Sequence, residues 1–135
     1  MPKKEPRELK IMVVDDSDFI RRKIVDLLEK NNLKVVAESP SAKKALELHR
    51  KIKPNVIITD IVMPEISGLE LAKHVNDNPM ADPTYVIAMS SLSTEDLVVE
   101  AISSGAVDFL AKPFKDRDLV RSVLKIKDIL DGEAR

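Results

Sequence analysis

The sequence contains no cysteine and no tryptophan, and only 3% of its residues are aromatic. Without cysteine there is neither a disulfide nor a thiolate metal site, which suits a reducing compartment such as the cytoplasm. With so few aromatic rings the core has to be aliphatic. Glycine is scarce too: Gly68, Gly105 and Gly132 are the three in 135 residues, too scattered to form a glycine-rich phosphate cradle. Neither sign of charge dominates, with 22 Lys and Arg against 23 Asp and Glu and a formal net charge of -1. The chain therefore lacks the global basic signature of a nucleic-acid or anionic-membrane binder. No apolar run approaches the roughly 20 residues of a membrane span. Residues 1–8, from Met1 to Glu8, lack a signal-peptide core and read as a solvated tail.

What is present is a balanced globular composition, 44% hydrophobic and 33% charged, of a length that suits one domain with a sizeable core. The densest apolar stretch is Val56-Ile57-Ile58-Thr59-Asp60, bracketed by Pro54 and Pro64. Such a run reads as a strand buried on both faces of a parallel sheet. Ile11 to Val14 reads as an earlier strand, Leu33 to Glu38 as a second, Tyr85 to Met89 as a fourth and Val107 to Ala111 as a fifth. Between them lie helical patterns. Ile20, Ile24, Leu27 and Leu28 share one helical face, with Arg21, Arg22 and Lys23 largely on the wet side. Ser17 or Asp18 suits the cap of that helix, and Ser93 or Thr94 that of the fourth.

The second helix starts at Pro40-Ser41 and stops before Pro54. A short third helix spans Leu69 to about Asn76. The fourth turns Leu97, Val98, Ala101 and Ile102 inward and breaks at Gly105. The last runs from about Asp116 to Leu130 and offers Leu119, Val120, Val123, Leu124 and Leu130 to the core. Val99 and Ile126 sit partly off the core stripes, as candidates for partner contact. Strict alternation of strand and helix implies right-handed βαβ units and a mostly parallel sheet. Residues 9–131 form the expected domain, 132–135 a short tail, with no second domain in this chain.

In such a sheet the carboxyl ends of the strands line one rim, where ligands bind. The polar residues expected there are Asp15 and Asp16, Asp60, Ser90 and Lys112. Three converging carboxylates repel one another unless a cation sits among them. An all-oxygen donor set selects a hard ion, Mg²⁺ first. A lysine and a hydroxyl beside it can hold phosphoryl oxygens, so the set suits phosphoryl transfer to a carboxylate. His49 and His74 have no metal-ligand partner in the pattern and read as solvated.

Four segments carry a resemblance: Val13-Val14-Asp15-Asp16-Ser17, Ile57 to Gly68, Met89-Ser90-Ser91 and Gly105 to Phe114. In order and spacing they resemble the receiver domain of two-component response regulators, over roughly residues 9 to 130. The resemblance implies a flavodoxin-like three-layer α/β sandwich, with a five-stranded parallel sheet in order 2-1-3-4-5 and five helices. It implies that Asp60 accepts a phosphoryl group from a histidine kinase or phosphotransfer protein. Asp16, Asp60 and the Val62 backbone carbonyl would bind Mg²⁺, with Asp15 acting mainly through water. Ser90 and Lys112 would contact the phosphoryl oxygens, Phe109 would be the aromatic switch residue, and the Lys112-Pro113 peptide would be cis. The chain would be a phosphoacceptor that assists its own phosphorylation and dephosphorylation, not a turnover enzyme. A downstream target would read the face made by Thr94 to Ser104, Val107 to Ala111 and the last helix. Neither nucleic-acid contact nor membrane insertion is implied, and the domain would be a monomer or a phosphorylation-dependent dimer.

Two departures from the common pattern stand out. Ser91 replaces a small alanine, and Val62 and Leu92 are apolar where some members place polar side chains. The leading expectation is a stand-alone chemotaxis-type regulator; the alternative is the receiver of a longer regulator with a DNA-binding or enzymatic output. A phosphatase of related architecture fits less well. Its acid would stand two residues beyond the nucleophile, where this chain has Val62.

Overall fold

A computed structural model describes residues 7–133. The strands are β1 (Ile11–Val14), β2 (Val35–Ser39), β3 (Val56–Asp60), β4 (Tyr85–Ser90) and β5 (Ala106–Ala111). The helices between and after them are α1 (Asp18–Lys30), α2 (Ala42–Ile52), α3 (Gly68–Val75), α4 (Glu95–Ser103) and α5 (Asp116–Glu133). All neighbouring strands are parallel, in the order β2-β1-β3-β4-β5. This is the expected doubly wound sandwich.

Alternation along the central strands divides the core. Ile11, Val13, Val56 and Ile58 face one side, where α1 supplies Ile24, Val25 and Leu28 and α5 supplies Leu119, Val123, Ile126 and Leu130. Met12, Val14, Ile57 and Val86 face the other, against Ala42, Ala45, Leu71 and Val75. A smaller cluster of Ile61, Leu69, Ala88, Ala101 and Ala106, with Leu97 and Phe109 against it, seats α4. Ser17, Ser41, Ser67 and Thr94 cap α1 to α4, each side chain accepting the backbone N–H three residues on. Such caps are worth about 1 kcal/mol each.

Several expectations need correction. The second strand begins at Val35. Asn32 takes a positive φ of 60°, and Leu33 drops into the core before the strand starts. In α4 only Ala101 is buried, and Ile102 is 49% exposed, because a nine-residue helix lying over a sheet edge has room for a narrow stripe. In α5, Leu124 is 43% exposed and Ile126 is 1% exposed, so the inward stripe is Leu119, Val123, Ile126 and Leu130. Ile126 is therefore no surface residue. The last helix continues to Glu133, past Leu130. The expected tails, 1–8 and 132–135, lie largely outside the described residues. Within them, Arg7 Nη2 donates to Glu133 Oε2 at 3.0 Å, and the Glu8 carbonyl accepts from Asn55 Nδ2 at 2.7 Å.

Candidate functional site

The parallel sheet turns its carboxyl ends to one rim, and the expected polar residues meet there. β1 runs straight into Asp15, whose N–H pairs with the Ser39 carbonyl at 3.1 Å. Asp15 is 1% exposed; its Oδ1 accepts the Ser17 N–H at 2.9 Å and its Oδ2 accepts from Lys112 Nζ at 3.0 Å. Asp16, the next residue, is exposed. Asp60 closes β3, with Oδ1 3.7 Å from Lys112 Nζ. Lys112 follows β5, held by its N–H on the Ser90 carbonyl at 2.8 Å. The Lys112–Pro113 peptide is cis, as expected.

Each of Asp15, Asp16 and Asp60 offers a carboxylate oxygen, and these atoms lie within 4.8 Å of one another. Lys112 supplies one positive charge against three carboxylates, so a divalent cation fits the residual charge and the all-oxygen donor set. Burial pushes the Asp60 carboxyl above the ordinary value of 3.8; Lys112 pulls it down, and Asp15 and Asp16 push it further up. Crowded carboxylates favour protonation or a cation, and the second supplies a reason for the crowding.

Ser90 is the last residue of β4 rather than the first beyond it. Its hydroxyl is fully buried and accepts the Leu92 N–H at 3.0 Å. Phe109 is half-buried, opposite Ala88 in the sheet register, against the cluster beneath α4. Val62 and Leu92 are 58% and 57% exposed at the rim. Ser91 lines a groove of about 320 Å³ beside Lys112, with Ile20, Ile24, Leu27 and Phe114.

Two residues at the rim were not legible. Gly68 read only as a loop glycine, yet a Cβ there would come 2.2 Å from the Asp60 carbonyl oxygen. Its N–H bonds the Ile61 carbonyl at 2.9 Å, folding the β3–α3 loop back on itself. Arg21 read as a wet-side residue, but its side chain is 14% exposed and Nη1 donates to the Asp15 carbonyl at 2.7 Å. Helical periodicity says nothing of a contact to the preceding loop. His49 also departs from expectation: it is half-buried, with Nε2 2.8 Å from Thr84 Oγ1. His74 is exposed, with Nδ1 3.3 Å from Asp77 Oδ2. Both lie away from the rim residues described above.

The family model of the response regulator receiver domain matches residues 11–124. The chain belongs to that family. The chemotaxis protein CheY of Thermotoga maritima is 31% identical over 118 residues, spanning 87% of this chain and 96% of that protein. The protein-glutamate methylesterase/protein-glutamine glutaminase of Idiomarina loihiensis is 38% identical over 132 residues, 94% of this chain but 33% of that protein. The signal receiver domain of the response regulator NarL from Mycobacterium tuberculosis superposes with a TM-score of 0.83. It is 29% identical, and the match covers 91% of this chain and 98% of that one. This receiver domain is thus a module of two-component signalling. No helix among its described residues is long and apolar enough to cross a membrane.

Proposed function

We propose that this receiver domain accepts a phosphoryl group on Asp60 from the phosphohistidine of a kinase or phosphotransfer protein, and then presents an altered face to a target. An ionised Asp60 oxygen forms the new O–P bond as the donor's N–P bond breaks, and the imidazole departs with that electron pair. Burial opposes the ionisation of Asp60 and Lys112 favours it. Asp16, Asp60 and the Val62 carbonyl would hold Mg²⁺. Asp15 would act through water, since its own oxygens already accept from Ser17 and Lys112. The ion would offset the charge on the transferring group. Lys112 and Ser90 would take the remaining phosphoryl oxygens.

The observation that carries this reading is the meeting of Asp15, Asp16 and Asp60 at one rim with Lys112 between two of them. Incubation with acetyl phosphate and Mg²⁺ should label the protein on Asp60, and chelation should prevent it. Asp60→Asn should lose at least about 100-fold in labelling rate. A variant labelled as fast as its parent would overturn the assignment.

The phosphoryl group adds roughly two negative charges, which draw Ser90 and Lys112 toward Asp60. Displacement of Ser90 vacates space that Phe109 fills by packing alone, having no hydroxyl, and α4 repacks with it. Val99, Ile102 and Val107 are 59%, 49% and 44% exposed on α4 and β5. They form the face offered to a target, or to a second copy after phosphorylation. The chain acts as a phosphoacceptor, working in the cytoplasm, in a regulator of the chemotaxis type. The span of 96% over the Thermotoga protein supports that arrangement. The methylesterase relative, three times longer than the match, favours a second reading as the receiver of a longer regulator. The full reading frame decides between them.

A further inference from the structure

Arg21 joins three elements at the rim. Its Nη1 donates to the Asp15 carbonyl at 2.7 Å and its Nη2 to Asp18 Oδ1 at 2.5 Å. Its Nε makes no hydrogen bond and lies 3.4 Å from Glu38 Oε1, within ion-pair range. The other Glu38 oxygen accepts from Arg22 Nη1 at 2.8 Å. One planar guanidinium thus ties the end of β1 to the first turn of α1 and to the edge strand β2. An isolated surface pair would do little, but the Arg21 side chain is only 14% exposed. A rigid fork of this kind fixes direction as well as distance.

The carbonyl it holds belongs to the peptide linking Asp15 to Asp16. The Asp15 N–H is fixed on the Ser39 carbonyl, so the peptide before Asp15 is set by the sheet and the one after it by Arg21. Asp16 is exposed, so the backbone that carries it decides where its carboxylate points. We infer that Arg21 is a positioning residue that aims the Asp15–Asp16 pair for the cation, an inference that rests on the metal reading of this rim.

Coulomb interactions alone predict the opposite outcome for its removal. Deleting a cation beside three carboxylates, and freeing Asp18 and Glu38, strengthens the pull on a divalent ion. Loss of aim weakens it. The sign of the change therefore separates the two effects.

The test is calorimetric titration of Mg²⁺ into the full chain, with thermal melts in chelator to establish that each variant is folded. Arg21→Met, which keeps the stem packing, should bind Mg²⁺ about tenfold more weakly, as expected for loss of an outer-shell partner. Arg22→Met, which also loses its contact with Glu38 but does not touch Asp15, should stay within about twofold of the parent. Arg21→Lys keeps the charge and loses the fork, and should weaken binding at least about threefold; it decides the matter if Arg21→Met does not fold. Unchanged or tighter binding in the Arg21 variants would overturn the positioning role alone. A parent that binds no Mg²⁺ would remove the metal reading itself, and this inference with it.

Discussion

Gly68 occupies a place where a single methyl group has no room. A Cβ there would lie 2.2 Å from the Asp60 carbonyl and 3.0 Å from the Ile61 Cα, and neither backbone atom can step aside without moving Asp60. Gly68→Ala should cost about 2–3 kcal/mol through overpacking, a fall in Tm of roughly 10 °C, and should slow acetyl phosphate labelling. Unchanged melting would show that the loop yields freely. Asp60→Asn acts in the other direction. The folded carboxyl is pushed up by burial first, then by Asp15 and Asp16. Below the unfolded value of 3.8 both states are protonated and the fold pays nothing. The cost of an ionised Asp60 develops as pH rises from that value through the folded one and is complete above it. In chelator at pH 7, Asp60→Asn should therefore melt higher than the parent, and that advantage should vanish toward pH 3. An asparagine variant less stable than its parent at neutral pH would contradict this. The carboxylates, Ser90 and Lys112 were legible because each sits at a strand end, a position that a run of β-branched residues announces. Gly68 and Arg21 were not, since close backbone approach and a side chain folded back on a loop leave no periodic trace.

α4 and α5 differ sharply in how firmly they are held. α4 buries only Ala101, whereas α5 buries Leu119, Ser122, Val123, Ile126 and Leu130. Few buried contacts mean a low cost of local opening. Amide hydrogen exchange should run faster in Glu95–Ser103 than in Leu119–Leu130, and Thr94→Ala, by removing a cap worth about 1 kcal/mol, should widen the gap. Equal protection in the two helices would remove the physical basis for α4 as the moving part. α2 carries a different sensitivity. His49 is tied to Thr84 at the opposite end of the sheet, in a cleft that also holds Arg7, Lys10, Lys53, Glu8 and Asp82. Burial, and then Arg50, pushes its pKa below 6.5. The unfolded chain thus takes up a proton that the folded chain resists. Stability is complete above that value and is lost as pH falls below it. His49→Gln should flatten the dependence of the urea midpoint on pH between about 7 and 5; an unchanged slope would place the effect elsewhere. The alternation of elements was plain from the sequence, because period two and period 3.6 are distinct signals. Strand order came from resemblance, since alternation alone fixes no order. The inward faces of α4 and α5 were misjudged at Ile102, Leu124 and Ile126, where apolar residues cover more than one stripe and only the packed neighbours choose between them.

At the scale of the whole molecule, the rim and the proposed target face are separate surfaces, and β4 and β5 run between them. Ser90 closes β4, Ala88 lies on that strand opposite Phe109 in β5, and Phe109 rests on the cluster that seats α4. A negative group on Asp60 can influence α4 only by favouring one packing of that line over another, and only by as much as it binds the two packings differently. Beryllium fluoride with Mg²⁺ is a non-covalent stand-in for the phosphoryl group. Added to the parent, it should slow exchange in α4 by about tenfold, equivalent to about 1.4 kcal/mol of differential stabilisation. In Ser90→Ala the analogue should still bind at Asp60, raising Tm, because Lys112 and the carboxylates remain. The slowing in α4 should shrink toward nothing, because the hydroxyl that moves has gone. In Phe109→Ala the same separation should appear from the far side: Ser90 can move, but no ring follows it. Binding without transmission in both variants is the expected pattern. Full protection of α4 in either one would mean that the charge reaches the helix by another route, and the line from Asp60 through Ser90 to Phe109 would have to be abandoned.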